Sequence, residues 1–306
     1  MKDYKYIFGP IPSRRLGLSI GVSTIPKKYC NYSCIYCQLG RTNHLTNTRE
    51  NFFPLDEILK EFEEYLKDLN DNNKFDVISL VGEGEPTLYS DLNDLILGLK
   101  KFTSKPIVVI TNGGLLNDKD VQNALLNADI VMPSINYFDE ESFRKIHRPH
   151  GKIKYEDTYN ALVEFSKIYK GELWLEVMLL ENINDDKDSI LKIKKLIDNV
   201  NHSRVYVNTA VRPPAESYVK PCSKETLEFA EKTLGGTSIE NLISKGFFSE
   251  IEDNYEAILS IIKRHPMNEF EIRSFLESRN CSEKEIEKIF NSLKKEVSFY
   301  KGFFRN

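Results

Sequence analysis

No stretch of this 306-residue chain approaches the roughly eighteen consecutive apolar residues that a membrane-spanning helix requires. The opening MKDYKYIFGPIPSRRLGLSI also lacks the apolar core of a secretory signal. The expectation is a cytoplasmic protein without membrane association. Low-complexity tracts and internal repeats are missing too, which excludes solenoids and extended disorder. Cysteine is scarce and unevenly placed: five in all, none before residue 30. An odd, lopsided set argues against a disulfide framework and for a reducing compartment with a metal site. Cys222 and Cys281 stand alone and read as thiols that fill space.

Composition is otherwise that of an ordinary globular chain, 41% apolar and 29% charged. The net charge of −4 hides an asymmetry: the first fifty residues carry +6, leaving −10 for the rest. A basic N-terminal segment favours an anionic ligand, although a solvated charged face is the commoner explanation of such clusters.

From about residue 16 to 209, short runs rich in β-branched residues alternate with amphipathic helices. The runs are LGLSIGVSTI, FDVISLV, PIVVIT, DIVMPSI, ELWLEVMLL and RVYVNTA. Between them, Leu55, Ile58, Leu59, Phe62, Leu66 and Leu69 recur at helical spacing, as do Ile190, Ile193, Leu196, Ile197 and Val200. Six such units predict an α/β fold, a partial (β/α)6 TIM-like barrel of parallel strands with right-handed crossovers. This barrel domain is expected over residues 1–234, followed by a linker with a short helix over 235–249. Residues 250–306 show three helical patterns, a capping box at Ser282 and a terminal VSFYKGFFRN that can turn a hairpin at Lys301-Gly302. That order predicts a small winged-helix-like α+β domain. Its ten bases and eleven acids favour structural or protein-contact duty over nucleic-acid reading.

In parallel α/β folds, ligands gather at the carboxyl ends of the strands. After the first run comes CNYSCIYCQ, with Cys30, Cys34 and Cys37 within eight positions. Soft thiolates this close suit an iron–sulfur cluster or zinc. Zinc would need a fourth ligand, for which His44 is nearest, and would give a metal-stabilised nucleic-acid-binding protein. A [4Fe–4S] cluster would keep one iron open for chemistry.

CNYSCIYC resembles the C-x3-C-x-aromatic-C signature of the radical S-adenosylmethionine (SAM) superfamily, and GEGEP at 82–86 is similar to that family's glycine-rich motif. The resemblance covers roughly residues 9–214. It implies one [4Fe–4S] cluster on the three cysteines and SAM as the second cofactor. It also implies reductive cleavage to a 5′-deoxyadenosyl radical, a low-potential donor such as ferredoxin or flavodoxin, and a hydrogen abstracted from substrate. Tyr36 fills the position whose ring lies beside adenine, and Gly84 and Glu85 match the residues that hold the methionine ammonium. Within the superfamily, GPIPSRRLGLSIGVSTIPKKYCNYSCIYCQLGRT most resembles the iron–sulfur oxidoreductases grouped with the tRNA wyosine-base synthase. That synthase uses a second cluster held by upstream cysteines, and this chain has none there. The substrate stays open among a tRNA base, a peptide and a small metabolite. A radical SAM scaffold that mainly binds partners is a further alternative.

Other strand ends carry further candidates. Thr111 and Asn112 line the cofactor pocket under the resemblance and are a plain Asn-Gly turn otherwise. Ser134 and Asn136 need partners at a buried strand end, which ribose hydroxyls or the protein itself would supply. Glu176 stands in an apolar run and needs an ion pair or a ligand. Arg212 and Arg148, each beside proline, are candidates for gripping a substrate carboxylate or phosphate. His147 and His150 flank Arg148 and read as surface histidines.

Overall fold

The structure, a computed structural model, describes residues 4–69, 75–81, 83–239, 247, 249, 251–264, 266–300 and 303–305. Strands β1 (Ile7–Ser13) and β2 (Gly17–Val22) form an antiparallel hairpin, and the two-residue strands β3 (Tyr29–Cys30) and β4 (His44–Leu45) pair with each other. Helix α1 (Leu55–Asp68) leads to β5 (Val77–Leu80), α2 (Leu92–Leu99) to β6 (Ile107–Thr111), and α3 (Lys119–Leu125) to β7 (Ile130–Pro133). Helices α4 (Glu140–His147) and α5 (Tyr155–Ile168) precede β8 (Glu172–Leu179), and α6 (Lys187–Ile197) precedes β9 (Arg204–Thr209). Helix α7 (Lys224–Leu234) ends at Gly235 in the left-handed conformation, and β10 (Thr237–Ser238) follows.

These strands make one eight-stranded sheet in the order β1-β2-β5-β6-β7-β8-β9-β10, parallel throughout except for β1. The six predicted runs are β2 and β5 to β9, in sequence order, and the fold is the expected partial TIM-like barrel. Strand β10 pairs with β9 inside the stretch expected to be a linker, so the sheet continues past residue 234. The short helix expected there, and the Lys301-Gly302 turn, lie outside the described residues.

Alternation along the strands separates two faces. One face packs under the helices: Ile78 and Leu80 of β5 are fully buried beside Ile58 and Phe62 of α1 in the largest apolar cluster. On the other face Leu16, Val77, Val108, Ile130, Met132, Trp174, Tyr206 and Ile239 form a separate cluster. Further along the same strands and face the side chains turn polar, with Ser19, Ser79, Glu176 and Asn208 lining a cavity. The interior therefore has an apolar floor and a polar chamber toward the strands' carboxyl ends.

The C-terminal residues form helices α8 (Asn254–Arg264), α9 (Glu269–Ser278) and α10 (Glu283–Glu296) with strands β11 (Met267–Asn268), β12 (Ser298–Tyr300) and β13 (Phe303–Arg305). The strands pair antiparallel in the order β11-β13-β12 around their own apolar cluster, which includes Ile258, Phe275 and Phe304. Ser282 caps α10 in the expected capping box with Glu285. Among the described residues no helix is long and apolar enough to cross a membrane.

Candidate active site at the strand ends

Cys30, Cys34 and Cys37 are free thiols that line a single cavity of about 440 Å3 together with Tyr36, Gly84, Arg15, Glu176 and Arg212. The loop carrying them is held from outside by the end of α4. Ser33 N–H donates to His147 O at 3.0 Å, Ile35 N–H to Ile146 O at 3.0 Å, and His150 N–H to Asn31 O at 2.8 Å. Side chains complete the clamp, with Tyr32 and Ile35 buried beneath the loop. Burial pushes all three thiols above their ordinary pKa, and mutual repulsion among them adds to the shift of Cys34. Thiols of this kind lose their protons to a metal rather than to bulk water.

Hydrogen bonds point at the sulfurs. Tyr32 N–H lies 3.4 Å from Cys30 Sγ and Asn112 Nδ2 lies 3.6 Å from it, while His147 Nδ1 sits 3.3 Å from Cys34 Sγ. His147 is fully buried, not the surface histidine expected from its place where a helix gives way to a loop. Phe143, Ile146 and His147 share one face of α4, and that spacing was the available signal. His44, the candidate fourth zinc ligand, is exposed and stacks on the Tyr29 ring at 4.2 Å. It pairs with Tyr29 rather than Cys30 in the β3–β4 ladder, so alternation turns it to the other face. Among the described residues no three His, Cys, Asp or Glu side chains converge on a single-ion site. Cys222 packs in the barrel core and Cys281 against the C-terminal core, and neither lines the cavity.

The glycine-rich stretch approaches the cysteine loop by backbone. Glu85 N–H donates to Tyr29 O at 3.2 Å, and a Cβ at Gly84 would fall 1.8 Å from that same oxygen. Only glycine fits there. The Glu85 carboxylate is buried and accepts from Thr87 N, Thr87 Oγ1, Thr111 Oγ1 and Asn112 N at 2.6–3.1 Å. It thereby joins the turn after β5 to the turn after β6. Burial raises its pKa against those four donors, which pull it down.

Asn136 is equally committed: Nδ2 donates to Tyr36 Oη at 2.7 Å and Oδ1 accepts from Met178 N–H at 2.6 Å. Its amide fixes the Tyr36 ring at the cavity wall. Ser134 bonds through its backbone to Thr111 O and does not line the cavity. Glu176 does line it, and accepts from Arg15 Nη1 at 2.6 Å and Asn208 Nδ2 at 3.1 Å. Arg15, in the turn of an unforeseen hairpin, is the partner that sequence reading left unnamed. Arg212 lines the cavity and meets Glu271 of α9 at 3.5 Å.

Arg148 stands elsewhere. Its guanidinium bonds to Glu216, which Arg41 also grips through Nε and Nη2 at 2.9 Å each. Glu216 N–H donates to Ile35 O at 3.0 Å, so this double ion pair braces the cysteine loop. Arg148 is not among the residues lining the cavity, and its partner is a carboxylate of the protein rather than an open site.

A parallel α/β partial barrel that presents three thiols from one loop to a polar chamber defines an enzyme built around an inorganic centre. The chain belongs to the radical SAM superfamily: residues 24–193 match the family model of that description. It is 38% identical over 291 residues to a UPF0026 protein of Methanocaldococcus jannaschii, covering 93% of this chain and 90% of that one. It is 41% identical to part of a protein named GTPase Obg from Brachyspira hyodysenteriae, covering 74% of this chain and 33% of that protein. The fold is similar to that of TYW1 with a lysine–pyruvate adduct bound, with a TM-score of 0.52 at 19% identity over 77% of this chain and 76% of that one. The superfamily's cofactors are a [4Fe–4S] cluster and SAM, and its members need a reductant. The donor set fits such a cluster: three free thiols line one chamber, with Tyr32 N–H aimed at the Cys30 sulfur and His147 Nδ1 beside that of Cys34.

Proposed function

We propose that the chain holds one [4Fe–4S] cluster on Cys30, Cys34 and Cys37, binds SAM beside it, and directs hydrogen abstraction at an anionic substrate in the same cavity. The observation that carries this reading is that all three thiols share one chamber with Tyr36, Gly84 and a charged wall. When bound, the cluster supplies the electron that splits the sulfonium C–S bond of SAM into methionine and the 5′-deoxyadenosyl radical.

The chain's own residues bind and orient. Tyr36 offers its ring to adenine, and Asn136 holds that ring in place. Gly84 lets the backbone of the glycine-rich stretch reach the methionine ammonium, and Glu85 contributes by keeping that stretch joined to Thr111 and Asn112. Glu176, fixed by Arg15, and Arg212 face the substrate side. Arg148 is assigned to bracing the loop. The floor of apolar side chains excludes water from below.

The C-terminal helices and sheet have the order of a winged helix. Their near balance of ten bases and eleven acids supports a role in closing the barrel or in protein contact rather than in nucleic-acid reading.

Anaerobic purification tests the proposal. A brown protein with about four irons per chain that yields 5′-deoxyadenosine from SAM after reduction is expected. A colourless protein carrying a single zinc overturns it. Comparing tRNA nucleosides and metabolites with and without the gene identifies the substrate.

A further inference from the structure

The chamber's charged groups are unequal in their pairing. Arg15 is matched by Glu176, and Arg212 faces Glu271. Arg14 also lines the cavity, yet it has no carboxylate partner among the described residues. It acts on Arg212 by like-charge repulsion, and burial with this repulsion lowers the Arg212 pKa to about 10. Two guanidinium groups lining one cavity, one of them mostly buried, are unfavourable together unless an anion joins them.

Topology explains why the two meet. Arg14 follows β1 and Arg212 follows β9, next to β10, so they come from near the two edges of the open sheet. Ile239, Phe247 and Glu271 line the same cavity. The gap that a closed barrel would seal with further strands is instead bordered by arginines and by α9.

The Glu271 contact is loose. Its Oε1 lies 3.5 Å from Arg212 Nη2, at the limit of a hydrogen bond, while its Oε2 accepts from Asn268 N–H at 3.0 Å in the capping box of α9. Loss of the arginine would leave Glu271 still hydrogen-bonded at its helix start. Such a carboxylate is easily replaced by a better anion.

Resting on the cofactor reading above, we propose that the substrate carries a phosphate or carboxylate group that docks between Arg14 and Arg212, taking the place of the Glu271 carboxylate. Paired guanidinium forks match the two or three oxygens of such a group, which Glu271 meets with one. The substrate's anionic end then sits at the seam of the sheet and its reacting carbon extends toward the cysteine wall. Displacing Glu271 also links occupancy of the cavity to the C-terminal helices.

Calorimetric titration of the anaerobically reconstituted protein with inorganic phosphate and, separately, with acetate tests this. Saturable binding is expected, weakened about tenfold or more by Arg14→Gln and strengthened severalfold by Glu271→Gln, whose amide keeps the Asn268 bond without the competing charge. A variant that misfolds cannot bind more tightly, so the gain in Glu271→Gln separates displacement from damage. Preference for phosphate assigns a phosphorylated substrate and preference for acetate a carboxylate. No saturable binding of either anion, or binding indifferent to Arg14→Gln and Glu271→Gln, overturns the proposal. Iron content and 5′-deoxyadenosine formation on the same preparation judge the cofactor reading separately. A brown, SAM-cleaving protein that ignores both anions sinks the clamp alone.

Discussion

His147 Nδ1 lies 3.3 Å from the sulfur of Cys34, and the imidazole is wholly enclosed. The rings of Tyr32, Tyr36, Tyr137 and Phe143 surround it, and its Nε2 has no hydrogen-bond partner among the described residues. Burial holds the ring neutral, with its pKa pushed down to about 3. A neutral imidazole beside a thiolate places its proton on the facing nitrogen, because a lone pair there would be repelled. With the proposed cluster held by Cys34, His147 Nδ1–H would donate to that sulfur, and hydrogen bonds to such sulfurs raise a cluster's reduction potential. His147→Leu is expected to retain iron and to lower the midpoint potential in a redox titration followed by electron paramagnetic resonance. An unchanged potential would show that the contact is packing alone.

The same residue marks where sequence reading stopped. Strands buried on both faces announce themselves through β-branched runs, so β2 and β5 to β9 were legible, as was the cysteine loop that follows the first of them. Strand β1 was not, because IFGPIPS carries two prolines. Proline is tolerated at a sheet edge, where its missing N–H costs nothing. A two-residue strand such as β10 has no period to read. With β1 and β10 hidden, the arginines between β1 and β2 could not be placed in the cavity. Long-range pairing hid the rest: Arg148 and Glu216 are distant in sequence, and nothing local to HRPHG shows that its arginine faces a carboxylate of the protein.

Glu85 is the carboxylate on which two strand ends depend. Glu85→Gln keeps the shape but replaces one acceptor oxygen with an NH2 group, which confronts donor N–H and O–H groups of Thr87, Thr111 or Asn112. Unpaired buried donors are costly, so a loss of about 2–4 kcal/mol is expected from urea unfolding. Equilibrium dialysis should show SAM binding weakened about tenfold or more, with iron retained. Normal SAM affinity in this variant would refute the assignment of the glycine-rich stretch.

The brace around Glu216 predicts a pH dependence. Hydrogen bonds from Arg41 and then Arg148 hold its pKa at about 2, below the ordinary 4.5. A carboxylate depressed in the folded state stabilises fully above its unfolded pKa, and that contribution fades as pH falls toward the folded value. The urea midpoint of the wild type is expected to fall between about pH 5.5 and about pH 3 more steeply than that of Glu216→Gln, which has no charge to lose. Arg41 is largely exposed, so the difference will be modest and will shrink in high salt. Parallel midpoint curves for the two proteins would mean that the brace contributes nothing.

Gly84 offers the sharpest local test, because the obstruction is backbone rather than a movable side chain. An alanine Cβ would fall 1.8 Å from Tyr29 O and 2.6 Å from Ile25 Cδ1. Real contacts are never so short, so either the glycine-rich stretch or the strand that ends in Cys30 must shift. Moving Tyr29 moves the adjacent ligand, and loss of most of the reconstituted iron is expected for Gly84→Ala. Gly151→Ala is the control, since a Cβ there meets nothing within 4 Å and that glycine lies beyond the clamp on the cysteine loop. Iron analysis of both proteins, with near-ultraviolet circular dichroism to confirm folding, reads the contrast. Equal iron in the two would show that the close approach of these backbones does not position the thiols.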